Sequence, residues 1–167
     1  MKKLLYVLAA ALCLVACEKD TENGSGSTTK GDYVDLGLSS GTKWKNANEM
    51  NPNDENGFYD YDLAMSLFEK NMPTKEQWME LVNECKWTWT GMGYRVTGVN
   101  NNSITLPAAG VSHITYVEGV GSYGYYWSSS PNGSENAWGM RFFFNGSNGV
   151  YMCELPRRYG SSVRLVR

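Results

Sequence analysis

Histidine is nearly missing from this chain. There is one, His113, in 167 residues. The four cysteines form no pair at metal-ligand spacing, so a structural zinc site is excluded and neither a metal nor a cofactor is expected. Charge is scarce as well: 19% of residues are Asp, Glu, Lys or Arg, too few for a coiled coil. The 15 basic residues are outnumbered by 17 acidic ones, so nucleic-acid binding lacks its electrostatic basis. No apolar run reaches the roughly 20 residues of a membrane-spanning helix, and no repeat recurs at a fixed period of about 20 to 50 residues. What the chain does have is 18 Gly and 15 Asn, about a fifth of its length. Gly alone is ordinarily about 7% of a protein. Such a content predicts short strands joined by many turns.

The amino terminus is a separate unit. Lys2 and Lys3 precede Leu4 to Ala16, 13 apolar residues without a break. That length fits a secretory signal. The run closes on Leu14-Val15-Ala16-Cys17, which resembles the bacterial lipobox and implies that Cys17 carries the lipid. At about 0.8 kcal/mol per buried methylene, two or three acyl chains anchor stably. Residues 1–16 therefore read as the signal peptide. Residues 17–31 read as a tether whose Gly/Ser/Thr-rich second half is flexible. Glu18 to Glu22, just after the cysteine, resembles the surface-export signal of some outer-membrane lipoproteins. Removing residues 1–16 leaves 13 basic against 17 acidic residues, a net charge of −4.

Residues 32–167 form the domain, with all six Trp and ten of the eleven Tyr. Strands are predicted at Tyr33–Leu38 and at Thr42–Ala47, the second with Trp44 inward. A short helix is expected at Asp62–Lys70, capped by Asp62. The strongest helix signal covers Pro73–Cys85. Thr74 and Gln77 have capping-box spacing, and Trp78, Leu81, Val82 and Cys85 share one face. Glu76, Glu80 and Glu84 fall on the wet face. Hairpins are predicted for Tyr94–Thr97 with Ser103–Leu106 and for Trp138–Phe144 with Gly149–Cys153. Further strands are expected at Tyr123–Ser128 and Ser161–Val166.

Several motifs occur in order: Tyr33-Val34-Asp35-Leu36-Gly37-Leu38, Ser40-Gly41-Thr42 with Trp44, Met72-Pro73-Thr74 with Trp78 and Leu81, and Trp87-Thr88-Trp89-Thr90. They continue with Leu106-Pro107-Ala108-Ala109-Gly110, Tyr126-Trp127-Ser128-Ser129-Ser130 and Ser162-Val163-Arg164 with Val166-Arg167. This set resembles the Fibrobacter succinogenes major paralogous domain, common in Bacteroidetes lipoproteins. That family resembles the formylglycine-generating-enzyme branch of the C-type lectin fold. The resemblance implies an α+β, C-type lectin-like domain with mixed, mostly antiparallel short strands, two helices and long loops. It also implies that the first and last strands pair.

Formylglycine-generating enzymes use a cysteine pair near the carboxyl end. Here Cys85 and Cys153 do not match that arrangement, so no catalytic residue is assigned and no enzyme is expected. The two are candidates for a disulfide, the alternative being two buried free thiols. Ser128, Ser129 and Ser130 have only His113 as a base, with nothing to orient it. Asp60 and Asp62 lie so close in sequence that capping or solvent exposure explains them. Asn51–Gly57 offers oxygen ligands but matches no calcium motif, so it reads as a polar loop. The triplets beginning at Asn101, Asn132 and Asn145 read as turns.

A ligand surface is expected in the carboxyl-terminal third, from Trp138, Arg141, Asn145, Asn148, Tyr151, Arg157, Arg158 and Tyr159. Trp, Tyr and Arg dominate binding hot spots, and Asn adds adaptable hydrogen bonds. Alternation puts Trp138, Met140, Phe142 and Phe144 on one face and Arg141, Phe143 and Asn145 on the other; one set is core. The Asn/Tyr/Ser-rich tail also resembles regions that diversity-generating retroelements vary in some members of this fold. The expected function is a surface-exposed outer-membrane lipoprotein, lipid-anchored, with a glycan or protein ligand. The alternative is a structural or assembly component of the envelope.

Overall fold

Trp44 has polar neighbours on both sides, in the strand Lys43-Trp44-Lys45, and such a residue must turn inward alone. In the computed structural model, which describes residues 32–144 and 149–167, it is fully buried. Its strand β2 (Lys43–Lys45) pairs antiparallel with β1 (Tyr33–Asp35), placing Val34 opposite Trp44. The other edge of β2 takes the carboxyl terminus. Lys43 and Arg167 exchange backbone bonds of 2.9 and 3.0 Å, and Lys45 N donates to Leu165 O at 2.9 Å. The first and last strands therefore do not pair directly: β2 lies between them. The tight turn at Ser39–Gly41 closes a local hairpin, and that hairpin occupies the edge of β1.

The carboxyl-terminal segment is not a regular strand. Residues 161–166 are all buried, and they bridge in turn to Tyr59, Tyr126, Glu49 and Trp44. The segment runs as a seam between elements instead of along one partner.

Helix α1 (Tyr61–Phe68) starts one residue earlier than expected. Asp60, not Asp62, caps it, accepting from Leu63 N at 2.8 Å. Asp62 is left in the first turn, facing outward. A 3₁₀ turn at Glu69–Asn71 leads into α2 (Lys75–Glu84). Here the capping box forms as expected, Gln77 N donating to Thr74 Oγ1 at 3.2 Å and Thr74 N to Gln77 Oε1 at 2.9 Å. Trp78 and Leu81 are fully buried, as their spacing requires.

The outer face of α2 is not simply wet. Glu80 accepts from Ser40 N at 2.7 Å, and Glu84 accepts from both the amide and the hydroxyl of Ser39. Two carboxylates thus hold the β1–β2 turn to the helix. The Ser39 bonds keep the Glu84 carboxyl below its ordinary 4.5. A lowered folded value stabilises above 4.5 and loses that contribution as pH falls through the folded value. Glu84→Gln should therefore lower the melting temperature at pH 7, and the difference from the parent should close as pH drops below 4.5. Thermal melts across pH 3–7 test this; a difference that does not change with pH would contradict it.

The remaining chain is antiparallel. β3 (Lys86–Trp89), β4 (Gly93–Thr97) and β5 (Ser103–Pro107) form one meander. β6 (Val111–Ser112) and β7 (Val117–Glu118) form a small hairpin. β8 (Tyr123–Asn132), β9 (Asn136–Phe143) and β10 (Val150–Pro156) form the largest sheet, with β9 central. The described residues are thus mixed α+β, with two α-helices and mostly antiparallel strands.

The β8–β9–β10 sheet divides the core. On one face Tyr126, Met140 and Phe142 join Trp44, Trp78, Leu81, Val96, Ile104 and Leu106 in the larger cluster. On the other, Trp127, Ala137 and Leu155 join Tyr59, Tyr61, Ala64 and Val163 in the smaller one. Period-two alternation therefore assigns Met140 and Phe142 to the core, and Arg141 and Phe143 to the opposite face. A bulge interrupts β8: Trp127 pairs with Gly139 but Pro131 pairs with Ala137, so two extra residues fit between. The bulge is made of the three serines. Ser128 Oγ donates to Trp138 O at 2.9 Å, and Ser130 Oγ accepts from Lys75 N at 3.0 Å.

Candidate functional site

The residues expected to form one ligand surface are distributed over three places. Trp138 lies under the start of α2, where Lys75 Nζ stands 3.2 Å from its ring centroid. That contact covers one face of the ring, which is half-buried and lies on the other side of the sheet from Arg141.

Arg157, Arg158 and Tyr159 follow β10. Arg157 is used internally: Nε donates to Asn136 O at 3.2 Å and one terminal nitrogen to Gly133 O at 2.9 Å. Its guanidinium also covers Tyr61 and faces Asp62 at 3.7 Å. It thereby ties the β8–β9 turn to α1. Arg158 is exposed and helps line a groove of about 590 Å³ with Asp60, Asp62, Ile114 and Glu135. Tyr159, expected to stand free, packs edge-on against His113 at 4.4 Å. Asn145 and Asn148 lie outside the described residues.

Arg141 and Tyr151 do meet, on the face of the large sheet away from the larger cluster. The register sets Tyr125, Arg141 and Tyr151 directly opposite one another across β8, β9 and β10. One step along, Tyr123 is opposite Phe143. Tyr123 and Tyr125 meet edge to face at 5.6 Å, and Tyr123 and Phe143 at 5.4 Å. The Arg141 guanidinium lies 3.7 Å from the Phe143 ring centroid, 4.8 Å from that of Tyr125 and 5.9 Å from that of Tyr151. Stacking of a cation on aromatic faces stabilises its position by about 0.5–2 kcal/mol. All five side chains are half-buried. Arg141 Nε is enclosed and has no hydrogen-bond partner, and no ion pair reaches Arg141 among the described residues.

One border of this patch is the β6–β7 hairpin. Glu118 faces His113 Nε2 at 2.9 Å, and its carboxylate lies near the Tyr123 hydroxyl. Burial first, and then the Glu118 carboxylate, push the Tyr123 phenol up to about 12, so it is a neutral donor. The Tyr123 ring lies over Gly119, where a Cβ would come within 1.9 Å of it. Gly119 also has φ +76°, so the close approach and the backbone both call for glycine. His113 stacks on Tyr116 at 4.9 Å, and the serines bond elsewhere, so the sole histidine is not set against a serine nucleophile.

Cys85 and Cys153 are separate free thiols. Cys85 flanks the larger cluster and Cys153 the smaller one. Burial pushes each up to about 11, so neither is a ready thiolate nucleophile. The Asn51–Gly57 loop spends its oxygens on its own backbone. Asp54 Oδ1 accepts from Asn56 N at 2.9 Å and Phe58 N at 3.1 Å, and Asn51 Oδ1 accepts from Asn53 N at 3.0 Å. Among the described residues no three His, Cys, Asp or Glu side chains cluster as metal ligands.

A second concavity, of about 430 Å³, lies between the residue 46–57 loop and β5, with Arg164 at its base. That guanidinium is fully buried and donates to Asn48 Oδ1 at 2.9 Å, Lys45 O at 2.7 Å and Thr105 O at 2.7 Å. Its bonds are spent on holding loops together.

Tyr123, Tyr125 and Phe143 were not on the expected surface. The aromatic run in β8 pointed toward two of them, but only the register brings them beside Arg141.

The fold is mixed α+β, and one face of its largest sheet carries half-buried rings around one cation. Residues 94–166 match a family described as a domain of unknown function (DUF8237). That span starts in β4 and contains the whole patch, the bulge and the carboxyl-terminal seam. No curated protein and no solved structure matches the chain.

Proposed function

We propose that this protein is a lipid-anchored outer-membrane lipoprotein, exposed at the cell surface, whose non-enzymatic domain binds a glycan or protein ligand. The observation that carries the reading is the Tyr125–Arg141–Tyr151 row. It holds rigid aromatic area, ordered at low entropy cost, around a cation with no carboxylate of its own. Anchoring rests on Lys2, Lys3, the 13-residue apolar run and Cys17. The domain is read as a C-type lectin-like member of the Fibrobacter succinogenes major paralogous group, on the ordered motifs from Tyr33 to Arg167. The binding surface is the sheet face itself, in place of the Arg157–Tyr159 loop and Trp138.

The test uses full-length protein in detergent on a glycan array, together with cross-linking in cells. Tyr125→Ala and Tyr151→Ala should each weaken capture by about tenfold, the usual cost of about 1–2 kcal/mol for an aromatic anchor. Cys17→Ala should move the protein out of the membrane fraction. Capture that ignores both tyrosines would remove the patch from the reading. Cross-linking to one fixed envelope partner, with no array binding, would favour a structural role.

A further inference from the structure

We infer that the patch around Arg141 takes an acidic sugar: a pyranose bearing a carboxylate or sulfate. The inference rests on the patch being the ligand surface, and it adds the chemical class of the ligand. Three features of Arg141 lead to it.

The first is the direction left open to the guanidinium. Its plane is held against the Phe143 ring at 3.7 Å, with Tyr125 and Tyr151 on the neighbouring strands. Nε is enclosed. The two terminal nitrogens have no hydrogen-bond acceptor or carboxylate among the described residues. They form the end of the planar fork, and a fork of parallel N–H groups matches the two oxygens of a carboxylate or sulfate.

The second is the contrast with the two other arginines of the domain that are not exposed. Arg157 and Arg164 each satisfy two or three carbonyl or amide oxygens. Arg141 satisfies none among the described residues, although its Nε is enclosed. A half-buried cation with an orphaned nitrogen is costly in a folded chain, and such groups call for an explanation. Glu118 at the border acts on Arg141 only from a distance and forms no ion pair with it, so an anion from outside supplies the direct partner, and exclusion of water by the surrounding rings strengthens that contact.

The third is the shape of the surroundings. Tyr125 and Tyr151 flank the cation at cross-strand spacing, so a ligand held by Arg141 rests on rings. A pyranose has one face of C–H groups that suits an aromatic ring, and hydroxyls at its edge. The Tyr123 phenol stands at the border, against Phe143 and Tyr125. Aromatic area, one cation and one peripheral hydroxyl fit a sugar carrying a single charge better than an acidic peptide. A run of acidic side chains would need several cations, and Arg141 is the only one in the patch.

Full-length protein in detergent is titrated with polygalacturonate, heparin, dextran and poly-glutamate. These probes supply a carboxylated glycan, a sulfated glycan, a neutral glycan and an acidic peptide. Polygalacturonate or heparin should bind at least tenfold more tightly than dextran or poly-glutamate, and the choice between the two identifies the anion. Arg141→Gln should remove that preference. Arg141→Lys keeps the charge without the fork, and should retain part of it. Far-ultraviolet circular dichroism and melting of both variants separate lost binding from lost folding. Binding of dextran that depends on Tyr125 and Tyr151 but not on Arg141 would overturn the acidic-sugar inference and leave the patch standing. Preference for poly-glutamate would overturn the sugar. Failure of both acidic glycans to bind the folded protein would also overturn it. Acidic-glycan binding that is indifferent to Arg141, Tyr125 and Tyr151 would overturn this inference and the patch together.

Discussion

Arg164→Leu should cost the domain about 4 kcal/mol or more, a large part of the roughly 5–15 kcal/mol that holds a domain of this size together. The residue sits with no exposed surface in the seam of residues 161–166. It reaches three acceptors from two parts of the chain: Lys45 O at the end of β2 with the nearby Asn48 side chain, and Thr105 O in β5. A hydrogen bond from a charged donor contributes about 1.5–3 kcal/mol, and an acceptor left buried without a partner adds its own penalty. The three are not additive, since they share one side chain. Burial works against the charge, while the Tyr126 hydroxyl and the more distant Glu49 work for it. Arg164→Lys should recover little, because one ammonium on a flexible stem cannot span the same three acceptors in a fixed plane. Arg167→Leu, at an exposed position stacked on Tyr33, is the control and should have a small effect. Urea titration followed by circular dichroism measures all three. A midpoint for Arg164→Leu close to that of the parent would show that the seam is held by apolar packing alone.

Trp127→Ala should cost about 3–5 kcal/mol, the range for removing a large aromatic from a core. Trp127 is fully buried in the smaller cluster. Its ring meets Tyr61 edge to face at 5.3 Å, and its Nε1 donates to Tyr59 O at 2.8 Å. Its own carbonyl accepts from Trp78 Nε1 at 3.1 Å, so the residue joins the two clusters across the sheet. Trp127→Phe keeps most of the volume and leaves Tyr59 O its bond from Ser161 N at 2.9 Å, so losing the indole donor should cost only about 0.5–1.5 kcal/mol. Trp138→Ala loses the contact with Lys75, about 0.5–1 kcal/mol, and should rank well below Trp127→Ala. Thermal and urea melts give the ranking. Equal effects from Trp127→Ala and Trp138→Ala would contradict the division of the core.

These effects also mark where sequence reasoning stops. The α2 signal was legible because it is local: Thr74 and Gln77 are three residues apart, and the Trp78 and Leu81 face follows from helical pitch. The β4–β5 hairpin was legible for the same reason, since turn residues sit between two alternating runs. The cap of α1 was misplaced because Asp60 and Asp62 offer the same chemistry, and tertiary packing of Tyr61 decides between them. The pairing of β2 with the carboxyl terminus depends on which edge β1 leaves free. The wet face assigned to Glu80 and Glu84 failed for a related reason, because residues 39 and 40 return to meet them.

The candidate site was legible only in part. Arg141 and Tyr151 were recognisable by residue type, and both belong to the patch. Trp138 was recognisable in the same way, yet alternation turns it toward α2. Arg157 and Tyr159 were drawn off by neighbours that no spacing rule identifies, namely the β8–β9 turn and His113. Tyr125 beside Arg141 is a matter of register across strands, and the bulge at Ser128–Ser130 resets that register.

The seam at residues 161–166 has a consequence for how the domain folds and unfolds. Those six residues touch β2, the loop before α1, β8 and β5, and they are synthesised after all of them. Arg164 alone closes a separation of 119 residues to reach Lys45. Contacts that span so much chain make folding slow, because the loops between them must close before any gain is returned. Until those residues are in place, the amino-terminal hairpin has no partner on its outer edge and both clusters lack a wall. Closing the seam completes both clusters in one step, so the domain is expected to unfold as a single cooperative unit, without a stable half.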